Sequence, residues 1–114
     1  MPNFKTKGNI ILQPNDDGLV HQFEVTVSSS ATANDGMIGF GRSVSSVVIT
    51  AHKDDGTSET DMLGSDSETD NVISLPLSYP TTNGAGKYHI VFVCTLDDAS
   101  VKELDFNRVI ARDL

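Results

Sequence analysis

A chain of 114 residues has room for one hydrophobic core and not for two, because folding at this size hides roughly two-thirds of the unfolded surface. Its 38% hydrophobic and 21% charged residues are those of a globular domain and exclude a disordered chain. With 16 acidic residues against 8 basic ones the formal charge is −8, which repels phosphates and anionic headgroups and argues against direct nucleic-acid or membrane binding.

Residues 1–8 read as a flexible N-terminal arm, and residues 9–114 as a single domain. A short apolar run, Ile10-Ile11-Leu12, is followed by the dense turn signal Gln13-Pro14-Asn15-Asp16-Asp17-Gly18. Residues 19–27 then alternate, which places Leu19, Phe23, Val25 and Val27 on one face of a strand and Gln22, Glu24 and Thr26 on the other. The small and polar residues 28–36 form a loop leading into Met37-Ile38-Gly39-Phe40-Gly41. Residues 44–52 predict the next strand, with Val47, Ile49 and Ala51 facing one way and Ser46, Val48 and Thr50 the other, stopped at Asp54-Asp55-Gly56.

Residues 54–70 hold seven of the acids and no Lys or Arg, so they predict a solvated loop system with a short pairing segment around Met62 and Leu63. Order returns at residues 72–77, where Ile73, Leu75 and Leu77 point inward and Pro76, lacking an N–H, predicts an edge strand or an interruption. After a Gly-rich turn, residues 87–96 are nearly apolar on both faces, the pattern of a strand at the centre of a sheet. Asp97-Asp98-Ala99-Ser100 turns the chain back into a last strand, residues 102–111, with Leu104, Phe106 and Ile110 toward the core.

Six or seven short strands with no helical stripe predict an all-β, two-sheet antiparallel β-sandwich. Cys94 stands alone, so there is no internal disulfide. Set in an apolar strand, it reads as a small hydrophobe and not as a reactive thiol. Apolar runs are too short to span a bilayer, and no basic segment followed by an apolar one opens the chain, so a soluble, unexported protein is expected.

Catalytic chemistry finds little to stand on. No serine occupies a Gly-x-Ser-x-Gly elbow, and neither Gly39-Phe40-Gly41 nor Gly84-Ala85-Gly86 leads into a helix that could hold a phosphate. His21, His52 and His89 fall on three different strands, each without a second ligand at metal spacing. The one pointed acidic pattern is Asp66-Ser67-Glu68-Thr69-Asp70, whose alternate carboxylates resemble the start of a calcium loop. Asn71 stands where such a loop needs Gly, and Leu77 where it needs Glu. Asp66, Glu68 and Asp70 are therefore weak candidates for a metal. No catalytic residue and no cofactor is expected.

The second half carries Ser43-Val44-Ser45-Ser46-Val47-Val48-Ile49-Thr50-Ala51, an acidic turn, Leu63-Gly64-Ser65, and then Gly86-Lys87-Tyr88-His89-Ile90-Val91-Phe92 running to Thr95, with Lys102-Glu103-Leu104-Asp105-Phe106 beyond it. Over about residues 16 to 112 this resembles a family of small bacteriophage proteins with immunoglobulin-like sandwiches, in which a strand of the Ser-Ser-Val-Thr-Val-Thr-Ala kind is followed by a Gly-x-Tyr-x-Val-x-Phe strand. The resemblance implies an immunoglobulin-like β-sandwich of about seven strands and a non-enzymatic structural role in the virion, as a tail or fibre adaptor or an accessory protein of the head-tail region. It further implies assembly in the host cytoplasm, with other virion proteins (tail, fibre or portal-region subunits) and copies of the chain itself as partners. The rival reading is an adhesin-like or carbohydrate-binding β-sandwich module, assisted by calcium at residues 54–70. A physical argument singles out Gly86 and Tyr88: the glycine permits a tight turn, and a buried Tyr ring can hold the strand while its hydroxyl ties down a loop.

Overall fold

A computed structural model describes Phe4 and residues 8–113. The described residues form seven strands and no helix: β1 (Ile10–Leu12), β2 (Leu19–Glu24), β3 (Val44–Lys53), β4 (Ser67–Thr69), β5 (Val72–Leu77), β6 (Gly86–Leu96) and β7 (Val101–Ala111). One sheet has the order β1-β7-β6-β3 and the other β2-β5-β4. This is a β-sandwich, a three-stranded sheet facing a sheet built on a central hairpin, with the first strand added to the larger sheet. All strand pairs are antiparallel except β1 with β7, where Ile10 lies beside Val109 and Leu12 beside Ala111 in parallel. Among the described strands, β1 is a short parallel addition to an otherwise antiparallel sandwich.

Aromatic rings join the two sheets. Phe23 of β2 meets Phe92 of β6 at 5.0 Å and Phe106 of β7 at 5.2 Å between ring centroids. Phe4 closes the cluster, edge-on to Phe23 at 5.4 Å and to Phe92 at 5.0 Å. Most of the expected arm lies outside the described residues, but Phe4 does not behave as part of a loose arm. Its ring is buried, its N–H donates to the Asp105 carbonyl at 3.3 Å, and its carbonyl accepts from the Arg108 guanidinium. An aromatic ring removes enough apolar surface from water, about 2–3 kcal/mol if fully buried, to outweigh the entropy of ordering its backbone.

β6 is central, as its two apolar faces predict, between β7 and β3. Its register with β7 slips between Tyr88 and Ile90: Ile90 faces Phe106 while Tyr88 faces Val109, so β7 has one extra residue. Such a bulge reverses the inward phase of the strand beyond it. Leu104 and Phe106 point inward as expected, but past the bulge Val109 and Ala111 take the core positions and Ile110 is turned to the outer face.

β5 also departs from expectation, being the middle strand of its sheet in spite of Pro76. It pairs with β2 along its whole length, from Leu19 beside Leu77 to Glu24 beside Val72, whereas β4 covers only residues 72–74. The Pro76 carbonyl points to the β4 side, where it accepts from Gly64 N–H at 2.8 Å. The missing N–H of Pro76 therefore falls beyond the end of β4, beside the isolated Leu63–Leu77 bridge, and leaves the β2 side of the sheet untouched.

Asp70 and Asn71, with φ of 52° and 64°, make the two-residue turn from β4 to β5, a conformation that Asp and Asn tolerate. The acidic stretch is not wholly solvated. Glu59 and Met62 have no exposed surface, and Glu59 N–H donates to the Ala51 carbonyl at 2.9 Å, laying residues 57–59 along the end of β3.

Candidate functional site

The candidate metal residues sit on and beside β4. Asp66 and Glu68 come together, and Asp66 with burial pushes the Glu68 carboxyl up to about 7. Asp70 occupies the turn. Glu68 Oε2 is buried without a hydrogen-bond partner, a position that a proton shared with Asp66 satisfies. Among the described residues no group of three His, Cys, Asp or Glu side chains converges as metal ligands.

The histidines are less scattered than their strands suggested. His52 and His89 are directly opposite across β3 and β6, and their rings stack with centroids 5.5 Å apart at 19°. Strand register was the information that the linear reading lacked. His21 pairs in register with Leu75 in the other sheet.

A second carboxyl pair was not foreseen. Glu59 Oε1 accepts from the Asn83 N–H at 2.9 Å and from Asn83 Nδ2 at 2.7 Å, while Asn83 Nδ2 also donates to the Ser58 carbonyl at 3.0 Å. Burial first, and then Asp61, raise the Glu59 carboxyl above its ordinary value; Glu59, Thr81 and Thr82 in turn hold Asp61 below the usual carboxylate range. Glu59 Oε2 is a buried oxygen with no acceptable donor nearby, so a proton on Glu59 directed at Asp61 completes the arrangement. Both threonine hydroxyls donate to Asp61, that of Thr82 at 2.9 Å, and Lys53 Nζ donates to the Asn83 carbonyl at 2.9 Å. These groups fasten the 80–86 loop to residues 58–61.

Tyr88 completes that fastening. Its ring is fully buried at the start of β6, and its hydroxyl donates to the Gly84 carbonyl at 2.6 Å, the loop tie expected from the Gly-x-Tyr pattern. Gly86 has φ 151°, a backbone conformation that residues with a side chain rarely adopt, and this favours glycine; a Cβ there would lie 2.6 Å from Lys53 Cε, the flexible end of a side chain that can shift. Cys94 is fully buried, with its thiol pushed up to about 11 by desolvation, and so packs as an apolar side chain.

The outer face of the larger sheet has a different character. Val48 lies opposite Val93, Thr50 opposite Val91, and Ser46 opposite Thr95, so β3 and β6 present no ionised side chain between the bulge and the histidine pair. Val48 is 66% exposed, and at the far side of the sheet Ile11, opposite Ile110, is 44% exposed. A shallow depression lies elsewhere, lined by Met37, Phe40, Arg42, Leu96, Asp98 and Lys102; Arg42 is paired there with Asp98 at 3.3 Å.

Compared with known proteins, the chain matches no family model and no curated protein.

Proposed function

We propose that the chain is a non-enzymatic structural component of a bacteriophage virion, a tail or fibre adaptor or an accessory protein of the head-tail region. It acts by docking onto other virion proteins and onto copies of itself, and it is found in the assembled particle. The observation that carries this reading is the uncharged, valine-rich outer face of β3 and β6 on a chain of formal charge −8. Acidic residues elsewhere keep the body dispersed, while a neutral face meets a protein partner at little desolvation cost. The Gly86–Tyr88 start of β6, bonded to its own loop, supports the resemblance to small immunoglobulin-like phage proteins.

Purified particles from cells producing the chain test this role. Immunoblotting across a density gradient is expected to place the chain with intact particles after a high-salt wash, at a fixed ratio to the major tail or head protein. A chain confined to the unsedimented fraction contradicts the proposal.

A further inference from the structure

The exposed side of β3 is open over a short, bounded window. Glu59 N–H donates to the Ala51 carbonyl and Lys53 N–H to the Thr57 carbonyl, so Ala51 and Lys53 direct their backbone polar groups away from β6. Alternation along the strand gives Val47 and Ile49 the same outward direction, while Val48 and Thr50 bond to β6. No described residue pairs with the outward groups of Val47 and Ile49. The window ends on one side at the 57–59 segment, which covers Ala51, and on the other at the bulge where Ser45 is the extra residue between Val44 and Ser46.

Nothing in this window protects it. Edge strands commonly avoid pairing by means of a charge, a proline or shortness. β3 is ten residues long, and from Ser46 to His52 it has no Asp, Glu, Lys, Arg or Pro. The other edges differ: β1 and β4 have three residues each, and β2 runs between Asp17 and Glu24, so an antiparallel copy of β2 would bring like charges together.

We propose that this window is a self-pairing edge: two copies of the chain join β3 to β3, antiparallel about a two-fold axis at Val48, making one continuous sheet. In that register Val47 of each copy exchanges both backbone hydrogen bonds with Ile49 of the other, Ser46 faces Thr50, and Val48 faces its own counterpart. This is the register in which the open window pairs fully with itself, as an isologous contact demands. The bulge at Ser45 bends each chain away before it meets the 57–59 segment of its neighbour. Neutrality decides the partner: an acidic chain that repels its copies elsewhere meets them here with no charge opposed. The inference deepens the docking role proposed above by naming the partner, and rests on that reading for its place in the particle.

A residue facing its own counterpart in a non-hydrogen-bonded pair has Cα atoms about 4.5 Å apart, within disulfide range. The full-length V48C variant is expected to form a disulfide dimer with oxidised glutathione, while S46C and V20C, the latter on exposed β2, stay monomeric. Cys94 is buried and leaves the readout clean. Sedimentation equilibrium of the unaltered chain is expected to rise with concentration from 12.2 kDa toward twice that mass, and V48E to remain at the monomer mass with an unchanged melting curve. Cross-linking of V48C no faster than of V20C, or an unaltered chain that stays monomeric at every concentration, overturns the self-pairing. A chain that joins particles yet fails both assays keeps the docking role and loses this inference; a dimer absent from particles does the reverse.

Discussion

Asn83 donates twice to one oxygen of Glu59, from its backbone N–H at 2.9 Å and from its side-chain Nδ2 at 2.7 Å, across 24 residues of sequence. Glu59 has no exposed surface, so this contact is the point at which the acidic 54–70 stretch is drawn under the domain.

Replacing Glu59 by Ala leaves two donors of Asn83 without their acceptor and opens a small cavity. The expected loss is about 2–4 kcal/mol in urea unfolding. Glu59→Gln keeps the volume and the oxygen that accepts from both Asn83 donors, and should cost less than about 1 kcal/mol. A Gln variant as unstable as the Ala variant contradicts the acceptor role of Glu59 Oε1.

The Glu68 carboxyl, raised from 4.5 to about 7 by Asp66 and burial, gives a second prediction. A folded state that binds the proton more tightly than the unfolded chain is favoured in full below pH 4.5 and loses that advantage as pH rises through 7. The unscreened shift corresponds to about 3 kcal/mol, and partial solvent access reduces this to roughly 1–2 kcal/mol. Glu68→Gln should flatten the stability profile over this window. An unchanged slope in chemical unfolding at pH 5, 6, 7 and 8 refutes the shared proton.

Tyr88→Phe removes only the hydroxyl that donates to the Gly84 carbonyl at 2.6 Å. Its expected cost is about 1 kcal/mol in thermal or urea unfolding. Cleavage within residues 80–86 by a nonspecific protease should rise while the β6 and β7 amides keep their exchange protection.

Phe4→Ala should destabilise the domain by about 3–4 kcal/mol, because the ring sits among Phe23 and Phe92 in the core. A chain starting at residue 8 should show the same loss. If either melts within about 2 °C of the intact chain, a shift worth less than ~0.5 kcal/mol at this size, the aromatic cluster does not depend on the N-terminal segment.

Two-residue alternation made β3 legible, because one buried face imposes the period locally, and a run apolar on both faces made β6 legible as a central strand. The Gly86-Lys87-Tyr88 pattern suggested the loop tie beside a Tyr that only packs, and the hydroxyl bond to the Gly84 carbonyl distinguishes the two. Ile110 was misjudged because the extra residue of β7 shows only against β6. Pro76 was misjudged because its effect depends on how far β4 runs beside it. Of the candidate metal residues, the spacing of Asp66 and Glu68 disclosed their proximity but not that one oxygen of Glu68 is buried without a donor.

Composition, charge and periodicity by themselves determined an all-β domain with a central apolar strand and an acidic exterior, because these are properties of each residue and its near neighbours. Only the tertiary structure decided that Phe4 belongs to the core, that Glu59 is buried, that His52 stacks on His89, and that β3 stands at an open edge. Each of these depends on pairing between segments tens of residues apart, and register between distant strands is set by the packing of the whole sandwich.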